Sequence, residues 1–568
     1  MANESFANTL LVQVDGNPLP ADVAALLTHA YVEDSRNLPD LFVLRFRDPQ
    51  HVVLAKARLT VGATVVLTVQ TAESGGPQPL MSGEVTAVEL ELDRTGTVTQ
   101  VRGLDPTHRL FRGRRVAAYP NMTVADVVRK VAERAGLTAG RIDPVPGVGG
   151  QRDTQLSQDN VSDWEFLTRL ADLVGAQLNV VDGALDFRLP EAPAGAPDTT
   201  ARATTEPLVL EAHRNLVSLR ACVSAAEQVP SVEARGWDVE HKQEVSATAT
   251  PRTAGTETPA VDPVKLANTF GAPPFLAADP SWHTPAVVKA AAEAVAGQLG
   301  GACTELTGLA KGNPKLRAGA AVALANVGDP FSGKYTLTAT RHLFGEHDGY
   351  TTEFTAAGRQ ERSLYGLVRG ATGADRRTGG LVPAIVSDVR DPLNLGRVKL
   401  TFPWLAKDFT SGWARTVQAG AGKGRGALVL PEVGDEVLVG FAGGDLDEPY
   451  VLGGLHNGKD PAPTVSTDPV DRSSGEIAVR AFVSRTGHRV ELVENDGIIV
   501  ATGDGKLTVR LDRKKGVVEI KGGSGVTIDA GTGPLELKGQ KVSVSAMSEA
   551  ELTANGQVTV RGGVIKLN

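Results

Sequence analysis

The sequence is short of several residue patterns, and each shortage excludes a class of protein. Cysteine occurs only at Cys222 and Cys303 in 568 residues. Two cysteines cannot form a disulfide framework, and these two lie far apart in sequence without CxxC or CxxH spacing, so we expect both to be reduced, small apolar side chains. No run of 18 apolar residues is present, so a membrane-spanning helix is not expected.

The N-terminus also lacks a secretory signal, since no basic segment followed by a long apolar stretch is found there. We expect synthesis in the cytoplasm, and delivery outside the cell or into a target by a route other than general secretion. Positive charge is scarce as well, because 58 Lys and Arg against 66 Asp and Glu leave a net charge of -8. Without a basic stripe, a nucleic-acid partner is not expected.

What the sequence does contain indicates a mainly β protein of several domains. Hydrophobic residues make up 41%, close to the average of soluble proteins, whereas 63 glycines and 5% aromatics predict many turns and short strands. Residues 1–118 are predicted to form a β-barrel or sandwich. The segment 359–380, rich in Arg and Gly, is predicted to be a boundary before a compact unit of short strands at 382–456.

Three helices are predicted from capping patterns. Their N-terminal caps are Thr123, Ser162 and Thr284. Ser162 forms a capping box with Glu165, and the third helix is predicted over 285–299. The first two are predicted to pack into hydrophobic cores rather than to carry a functional site.

Short apolar alternations separated by Gly, Asn or Asp fill the last segment. They begin at Ile477, Val479 and Ala481 and recur at 490–492, 507–511, 518–520, 526–530 and 535–537. The segment ends on "KVSVSAMSEAELTANGQVTVRGGVIKLN" (541–568). A lone strand or hairpin is marginally stable in water, so a surface outside the local sequence must cover the apolar side. The pattern favours a β-helix or prism in which each short strand forms one course.

Sequence motifs for catalysis, metal or nucleotide binding are weak. "QAGAGKGRG" (418–426) lacks the Gly-Lys-Ser/Thr ending of a phosphate loop, so we predict a hairpin connection. "GGDLDEP" (443–449) lacks the ligand spacing of a calcium loop and is predicted to be a solvated turn. No HExxH or GxSxG is present. We predict no catalytic residue, metal or cofactor, although a pair of carboxylates distant in the chain stays open.

A cluster of motifs in residues 386–463 is the most informative part of the sequence: GRV, FPW, SGWAR, PEVGDEV, GD and PYVLG follow one another in this order. This block resembles the OB-fold domain of VgrG-like spike proteins, found in type VI secretion, extracellular contractile injection systems and contractile phage tail spikes. We expect glycines to turn the corners of the small barrel, Trp404 and Trp413 to fill its core, and Val437, Val439 and Phe441 to alternate inward. The signature positions are Gly396, Arg397, Pro403, Trp404, Trp413, Arg415, Pro431, Gly434, Asp435, Glu436, Asp445, Pro449 and Gly453.

Two segments upstream, 103–128 and 158–178, look like the hub of the same family, and "SRTGHRVELVENDG" (484–497) resembles the start of its β-helical needle. The resemblance implies five segments. They are a first hub β-barrel over 1–118, helical elements and a second hub β-barrel with loops over 119–380, an OB domain over 381–457, a linker over 458–475 and an intertwined trimeric needle over 476–568.

The resemblance also implies partners. They are two further copies of the chain in a homotrimer, a hexameric inner-tube protein at the hub, baseplate proteins, a PAAR-type tip protein at the C-terminal end, and effector cargo. The predicted needle core is Val542, Val544, Leu552, Val558, Val560 and Val564. The predicted tip contacts are Ile565, Leu567 and Asn568, where the apolar phase shifts after two glycines.

We therefore predict a structural spike and hub of a contractile injection apparatus, not an enzyme. Two alternatives stay open. One is a spike-associated enzyme that degrades cell wall, although 457–475 is too short to hold the lysozyme domain that some relatives carry. The other is a carbohydrate-binding β-solenoid adhesin, although the tail after Val483 has no Phe, Tyr or Trp to form a binding platform.

Overall fold

The computed structural model describes residues 8–36, 38–71, 76–94, 96–151, 154–181, 183–345, 349–357 and 380–566. The chain divides into two compact units, residues 1–455 and 456–568. The described residues are mostly in β-sheets with few helices, so the predicted mainly β class is confirmed. Among them, no helix combines the length and apolar character needed to cross a bilayer. The predicted boundary at 359–380 lies almost entirely outside the described residues.

An eleven-stranded sheet organises the hub, the name used here for the described residues from 8 to 357. Its strands, in spatial order, are Leu216–Val223, Thr304–Lys311, Gly349–Ala357, Ala339–Gly345, Leu27–Ser35, Leu41–Arg47, Gly96–Leu104, Gln78–Asp93, Thr64–Gln70, Thr9–Val14 and Asn17–Pro18. The pairing of Leu27–Ser35 with Ala339–Gly345 therefore joins both ends of the hub in one sheet.

The core behind this sheet shows why individual residue types are needed. Phe42, Leu44 and Phe46 are fully buried along one strand. Gly103 lies opposite Phe42 in the next strand. A Cβ atom at Gly103 would stand 2.2 Å from the Phe42 ring, so the tight approach of these two strands requires glycine.

The three predicted helices are present and begin at the predicted caps, at Thr123, Ser162 and Thr284. The capping box is complete, since the Glu165 amide donates to Ser162 Oγ at 3.1 Å and the Ser162 amide donates to Glu165 Oε2 at 2.9 Å. The helices are Ala21–Ala24, Val53–Ala57, Val124–Arg134, Asp163–Val174, Pro263–Thr269 and Pro285–Gly301, with 3₁₀ turns at Pro106–Phe111 and Ala442–Gly444.

Four smaller sheets complete the hub. The first pairs Gln155–Val161 with Arg115–Pro120, and the second orders Gln177–Val181, Ala184–Arg188 and Thr138–Ile142. The third orders Val209–Glu211, Ala321–Ala325, Gly333–Thr336 and Thr256–Glu257, and the fourth orders Gln243–Ala249, Val232–Asp238 and Phe275–Ala278.

The OB domain holds a five-stranded sheet, ordered Lys399–Thr401, Val382–Asp388, Glu436–Phe441, Pro449–Gly454 and Arg415–Thr416. The predicted hairpin at 418–426 is confirmed by the pairing of Ala421–Gly422 with Arg425–Gly426. Val437 and Val439 are buried as predicted, and Phe441 packs against the same core.

The prediction that Trp404 and Trp413 fill this core is wrong, because Phe402 and Phe409 fill it instead. Trp404 is 52% exposed and its indole Nε1 donates to the Pro383 carbonyl at 2.8 Å. Trp413 is half-buried, and Lys399 Nζ lies 5.1 Å from its ring centroid. An indole carries a polar N–H and a face that attracts cations, so it can lie at the surface where phenylalanine is buried.

The second unit contains a five-stranded antiparallel sheet in sequential order: Val479–Val483, Arg489–Val493, Gly497–Ala501, Thr508–Asp512 and Val517–Lys521. Residues 522–566 contain no strand and are exposed throughout. The strands predicted from the alternation at 526–530, 535–537 and 542–564 are thus not formed within one chain. A strand needs a partner for its backbone N–H and C=O groups, and the single chain supplies none over this stretch.

Candidate functional site

Two features of the structure stand out as candidate functional sites: the junction between the OB domain and the hub, and one face of the sheet at 479–521. The predicted signature residues shape the turns of the OB domain, which forms one side of this junction. Asp391 accepts hydrogen bonds from the amides of Leu393, Leu395 and Arg397 at 2.8–3.1 Å, and Arg397 Nη2 lies 2.7 Å from Asp391 Oδ1. Burial opposes ionisation of Asp391, but Arg397 and these amides outweigh it and lower its pKa to about 2.

The remaining signature residues are spread over the turns and strands of the OB domain and form no single cluster. Gly396 and Gly434 have φ angles of +74° and +98°, which only glycine adopts readily, so they turn corners as predicted. Arg415 lies over the Tyr450 ring, with its Cζ 5.5 Å from the centroid. Asp435 Oδ2 accepts from the Glu432 amide at 2.8 Å. These contacts stabilise the domain and bring together no reactive groups.

The acidic loop "GGDLDEP" is not the solvated turn that we predict from sequence. Asp447 Oδ2 accepts a hydrogen bond from the hub amide of Ser157 at 2.9 Å. Asp447 Oδ1 is buried and has no hydrogen-bond partner among the described residues. Burial first, and then the neighbouring charge of Asp445, raise the pKa of Asp447 well above its usual range. This loop therefore contributes to the junction with the hub.

A second contact at the junction pairs Glu448 with His283, a hub residue that precedes the third predicted helix. His283 Nε2 lies 2.7 Å from Glu448 Oε2, and His283 Nδ1 donates to the Trp237 carbonyl at 2.7 Å. Burial alone would lower the pKa of His283, but Glu448 and the carbonyl outweigh it and raise that pKa. Burial also raises the pKa of Glu448, against the lowering effect of His283.

Apolar packing and one amide complete the junction. Val116 and Ala118, from the hub strand Arg115–Pro120, pack against the hydrophobic core of the OB domain. Gln155 Nε2 donates to the Thr410 carbonyl at 3.1 Å. Because these contacts join segments far apart in sequence, sequence reasoning missed Ser157, Gln155 and His283. The sequence feature that belongs to this junction is the acidic loop, which from sequence alone is predicted to be exposed.

Buried charges also tie the hub together. Arg317 pairs with Asp34, whose Oδ2 also accepts from the Ala318 amide at 3.1 Å. Asp40 and Asp105 lie in the same cluster, and burial raises the pKa of Asp105 to about 7. This cluster links the first strands of the hub to residues almost 300 positions later, and it suits a scaffold more than a catalytic site.

The second candidate is an apolar face on the sheet of the second unit. Cross-strand pairs place its side chains in two rows, one formed by Phe482, Val490, Val500, Val509 and Ile520 and the other by Leu492, Ile498, Leu511 and Val518. All nine are 37–75% exposed. The opposite face carries charged residues, including Glu491, Arg510 and Glu519 in one row. We name the nine residues the apolar face.

The apolar face agrees with most of the predicted alternation but not with its start. Val490, Leu492, Val509, Leu511, Val518 and Ile520 share one face, as expected from the two-residue period. The first predicted alternation, at 477, 479 and 481, does not contribute to the apolar face, because Val479 lies on the opposite face of the sheet. In this strand Phe482, paired with Val490, is the residue on the apolar face. A single phase shift near 481 moves each following side chain across the sheet.

The predicted needle core side chains are all exposed in the single chain. They are Val542, Val544, Leu552, Val558, Val560 and Val564, each 47–82% exposed. Of the predicted tip contacts, Ile565 is 53% exposed, and Leu567 and Asn568 lie outside the described residues. A metal centre finds no support in the described part of the chain, where no three His, Cys, Asp or Glu side chains are grouped suitably.

Comparison with known families matches two parts of the chain. Residues 382–456 match the type VI secretion system/phage-baseplate injector OB domain. Residues 62–346, half of the chain, match the Alg8 N-terminal domain. The first match coincides with the five-stranded sheet at 382–454, and the second lies within the hub.

Among curated proteins, the type VI secretion system spike protein VgrG3 of Vibrio cholerae is 38% identical over 79 residues, which is 13% of this chain and 8% of VgrG3. VgrG5 of Pseudomonas aeruginosa is 44% identical over 72 residues, 12% of this chain and 9% of VgrG5. The chain thus spans less than a tenth of either relative.

Among solved structures, the Francisella PdpA–VgrG complex in its half-lidded form aligns with 91% of this chain and 88% of the matched chain, at a TM-score of 0.51 and 8% identity. Its lidded form aligns with 91% of this chain and 80% of the matched chain, at a TM-score of 0.50 and 8% identity. At this identity the likeness concerns the fold alone.

Proposed function

We infer a mechanical role for this chain, which belongs to the VgrG-like spike proteins and, through residues 62–346, to the Alg8 N-terminal domain family. We propose that it is the central spike and hub of a contractile injection apparatus. Its described residues form sheets, turns and buried ion pairs. Within them we find no cluster of reactive groups that would support the enzymatic alternative. Sheath contraction, a process outside this chain, would supply the driving force.

The apolar face is the observation that carries this proposal. Nine large apolar side chains lie in two rows on one side of a sheet, whereas the opposite side mixes charged residues such as Arg510 with apolar ones such as Ile499. Burying such a face contributes about 25 cal/mol per Å² of apolar area. Three identical sheets whose apolar faces pack around one axis would bury all nine side chains. We therefore propose a homotrimer.

Residues 522–566 extend the same argument. They have no strand partner in the single chain, yet their apolar residues keep a two-residue period from Val542 to Val544 and from Val558 to Val560. In an intertwined trimer, each segment would pair its backbone with neighbouring chains and turn these valines inward. This closure would convert a segment without strands into a stiff needle.

The remaining partners follow from family membership. We propose that the hub contacts a hexameric inner-tube protein and the baseplate, and that Ile565, Leu567 and Asn568 contact a PAAR-type tip protein. Effector cargo would travel with such partners. Delivery would place the assembled particle outside the cell or in a target, and assembly would begin with chains made in the cytoplasm.

Deleting residues 476–568 tests the trimer. We expect the remaining chain to fold and to run largely as a monomer by multi-angle light scattering, whereas the full chain runs as a trimer. Val560→Asp in the full chain is expected to lower the trimer fraction, because three carboxylates would meet in a dry core. Thr559→Asp, one residue away on the other side of the strand, is the matched control.

An undiminished trimer after the deletion would show that the needle is not the main contact between chains. The enzymatic alternative is tested separately with the full chain on peptidoglycan zymograms. A clear band at the mass of the chain would support cell-wall degradation and contradict a purely mechanical role.

A further inference from the structure

A pocket of about 260 Å³ opens in the hub at the end of the strand Leu27–Ser35. Its walls come from distant parts of the chain. They include Arg36, Gln177, Asn179, Asp186, Arg188 and Gly319. A concave site with a few convergent polar groups is the form that small-ligand sites take in proteins.

Arg36 is the unusual member of this pocket. Its guanidinium forms no ion pair with any carboxylate in the described part of the chain, although its Nη1 donates to Gln177 Oε1. Burial, together with the charge of nearby Arg188, lowers the pKa of Arg36 to about 10, against the raising effect of the Asp34 carboxylate. Arg36 is half-buried, so its guanidinium has lost part of its hydration, and an anion that binds beside it would offset part of that loss.

The other charges of the pocket are already matched. Arg188 Nη2 lies 2.5 Å from Asp186 Oδ2, and Asp186 Oδ1 accepts from the Arg141 amide at 2.6 Å. Glu191 is paired with the Arg141 side chain. The two carboxylates of the pocket are thus paired with Arg188 and Arg141, and among the described residues Arg36 forms no ion pair of its own.

The Nε and Nη2 edge of Arg36 and the amide of Asn179 line the pocket beside Gly319. Gly319 has a φ angle of +90°, and a Cβ atom there would stand 3.4 Å from Arg36 Nη2, 3.8 Å from Arg36 Nε and 4.0 Å from Asn179 Nδ2. The Nε and Nη2 edge of a guanidinium is a fork that donates two parallel hydrogen bonds to the oxygens of a carboxylate or phosphate. Because Gly319 has no side chain, these nitrogens are left uncovered on the side where they line the pocket.

We propose that this pocket is a binding site for a small oxyanion, a carboxylate or phosphate group held by Arg36 and Asn179 beside Gly319. The site lies inside the hub and does not depend on trimer formation or on the needle. A bound oxyanion would join segments of the hub that are more than 140 residues apart, because Arg36 and Asn179 would both contact it.

The test is thermal unfolding of the full chain with inorganic phosphate, with acetate, and with chloride at matched ionic strength. We expect the unfolding temperature to rise saturably with phosphate, with acetate or with both, and to exceed its value in chloride. A response to phosphate alone assigns a phosphate ligand, and a response to acetate alone assigns a carboxylate. Equal unfolding temperatures in all three salts would overturn the proposal.

Variants locate the response. Arg36→Ala is expected to abolish it, and Arg36→Lys to weaken binding by about tenfold or more, since lysine keeps the charge but lacks the fork. Arg45→Ala is the control, because Arg45 lies on the neighbouring strand, pairs with Glu91 and does not line the pocket. Should Arg36→Ala unfold, Asn179→Leu with calorimetric titration of phosphate replaces it. A full response in these pocket variants contradicts the site.

Discussion

Val509→Asp tests whether the apolar face is the contact between chains. Val509 lies in the middle of one row, opposite Val500 on one side and Ile520 on the other, and it is 41% exposed in the single chain. An aspartate there would place a carboxylate in the centre of the proposed interface. Three copies of the carboxylate would converge in the trimer.

The magnitude can be estimated from the exposure of the nine side chains. Full burial of a Val, Leu, Ile or Phe side chain contributes about 1.5–3 kcal/mol, so completing the burial of half-exposed ones contributes about 1 kcal/mol each. The apolar face then offers about 9 kcal/mol per chain before ordering entropy is subtracted. Val509→Asp removes the apolar burial of one side chain and places a poorly paired carboxylate in the interface. Together these changes lower the free energy of association by at least about 2 kcal/mol per chain.

For a trimer this amounts to about 6 kcal/mol, or a factor of roughly 10⁴ in the association constant. Because three chains associate, the concentration at which half are trimeric moves with the square root of that constant. We expect it to rise about a hundredfold. Sedimentation equilibrium over a concentration series measures this midpoint, and circular dichroism checks that the sheet persists.

The matched control is Thr508→Asp, which adds the same charge on the other face, opposite Lys521. Its midpoint is expected to stay near that of the unchanged chain. The reasoning is refuted if Val509→Asp leaves the midpoint unchanged, or if both variants shift it equally.

Three further predictions concern the OB domain and its junction. Phe402→Ala is expected to cost about 3–5 kcal/mol in denaturant unfolding, because the side chain is fully buried, and the half-exposed Trp404→Ala is expected to cost clearly less. Asp391→Asn should reduce the loss of stability that accompanies falling pH. The depressed pKa of Asp391 in the folded chain means that its contribution is present above its unfolded value of 3.8 and fades as pH falls toward 2. Its stability measured from neutral pH downward should therefore become flatter than that of the unchanged chain. Asp447→Asn should reduce the loss of stability that accompanies rising pH. The raised pKa of Asp447 favours its neutral form in the folded chain, so its contribution is complete below 3.8 and is lost as pH rises through the raised pKa. Calorimetry in a pH series should show a smaller loss for the variant than for the unchanged chain, because the raised pKa of Glu448 acts in both.

The helices and the OB domain show how much of this fold can be predicted from local sequence. A cap such as Ser162 with Glu165 satisfies backbone amides three residues away, so its hydrogen bonds are visible in the sequence itself. The alternation that buries Val437 and Val439 is equally local, because the side-chain period of a strand is two. The tryptophans show where prediction from sequence fails. Phenylalanine and tryptophan are of similar hydrophobicity, and which of these rings is buried depends on its neighbours in space.

The sequence by itself determined the mainly β class, the caps of three helices, the OB motifs and the apolar period of the C-terminal segment. Only the tertiary structure decided that Asp447 and Glu448 meet the hub, that Arg36 lies in a pocket without a carboxylate partner, and that the apolar face has nine members. The physical reason is that burial and charge pairing are properties of contacts between distant residues, whereas capping and side-chain period depend on neighbours along the chain.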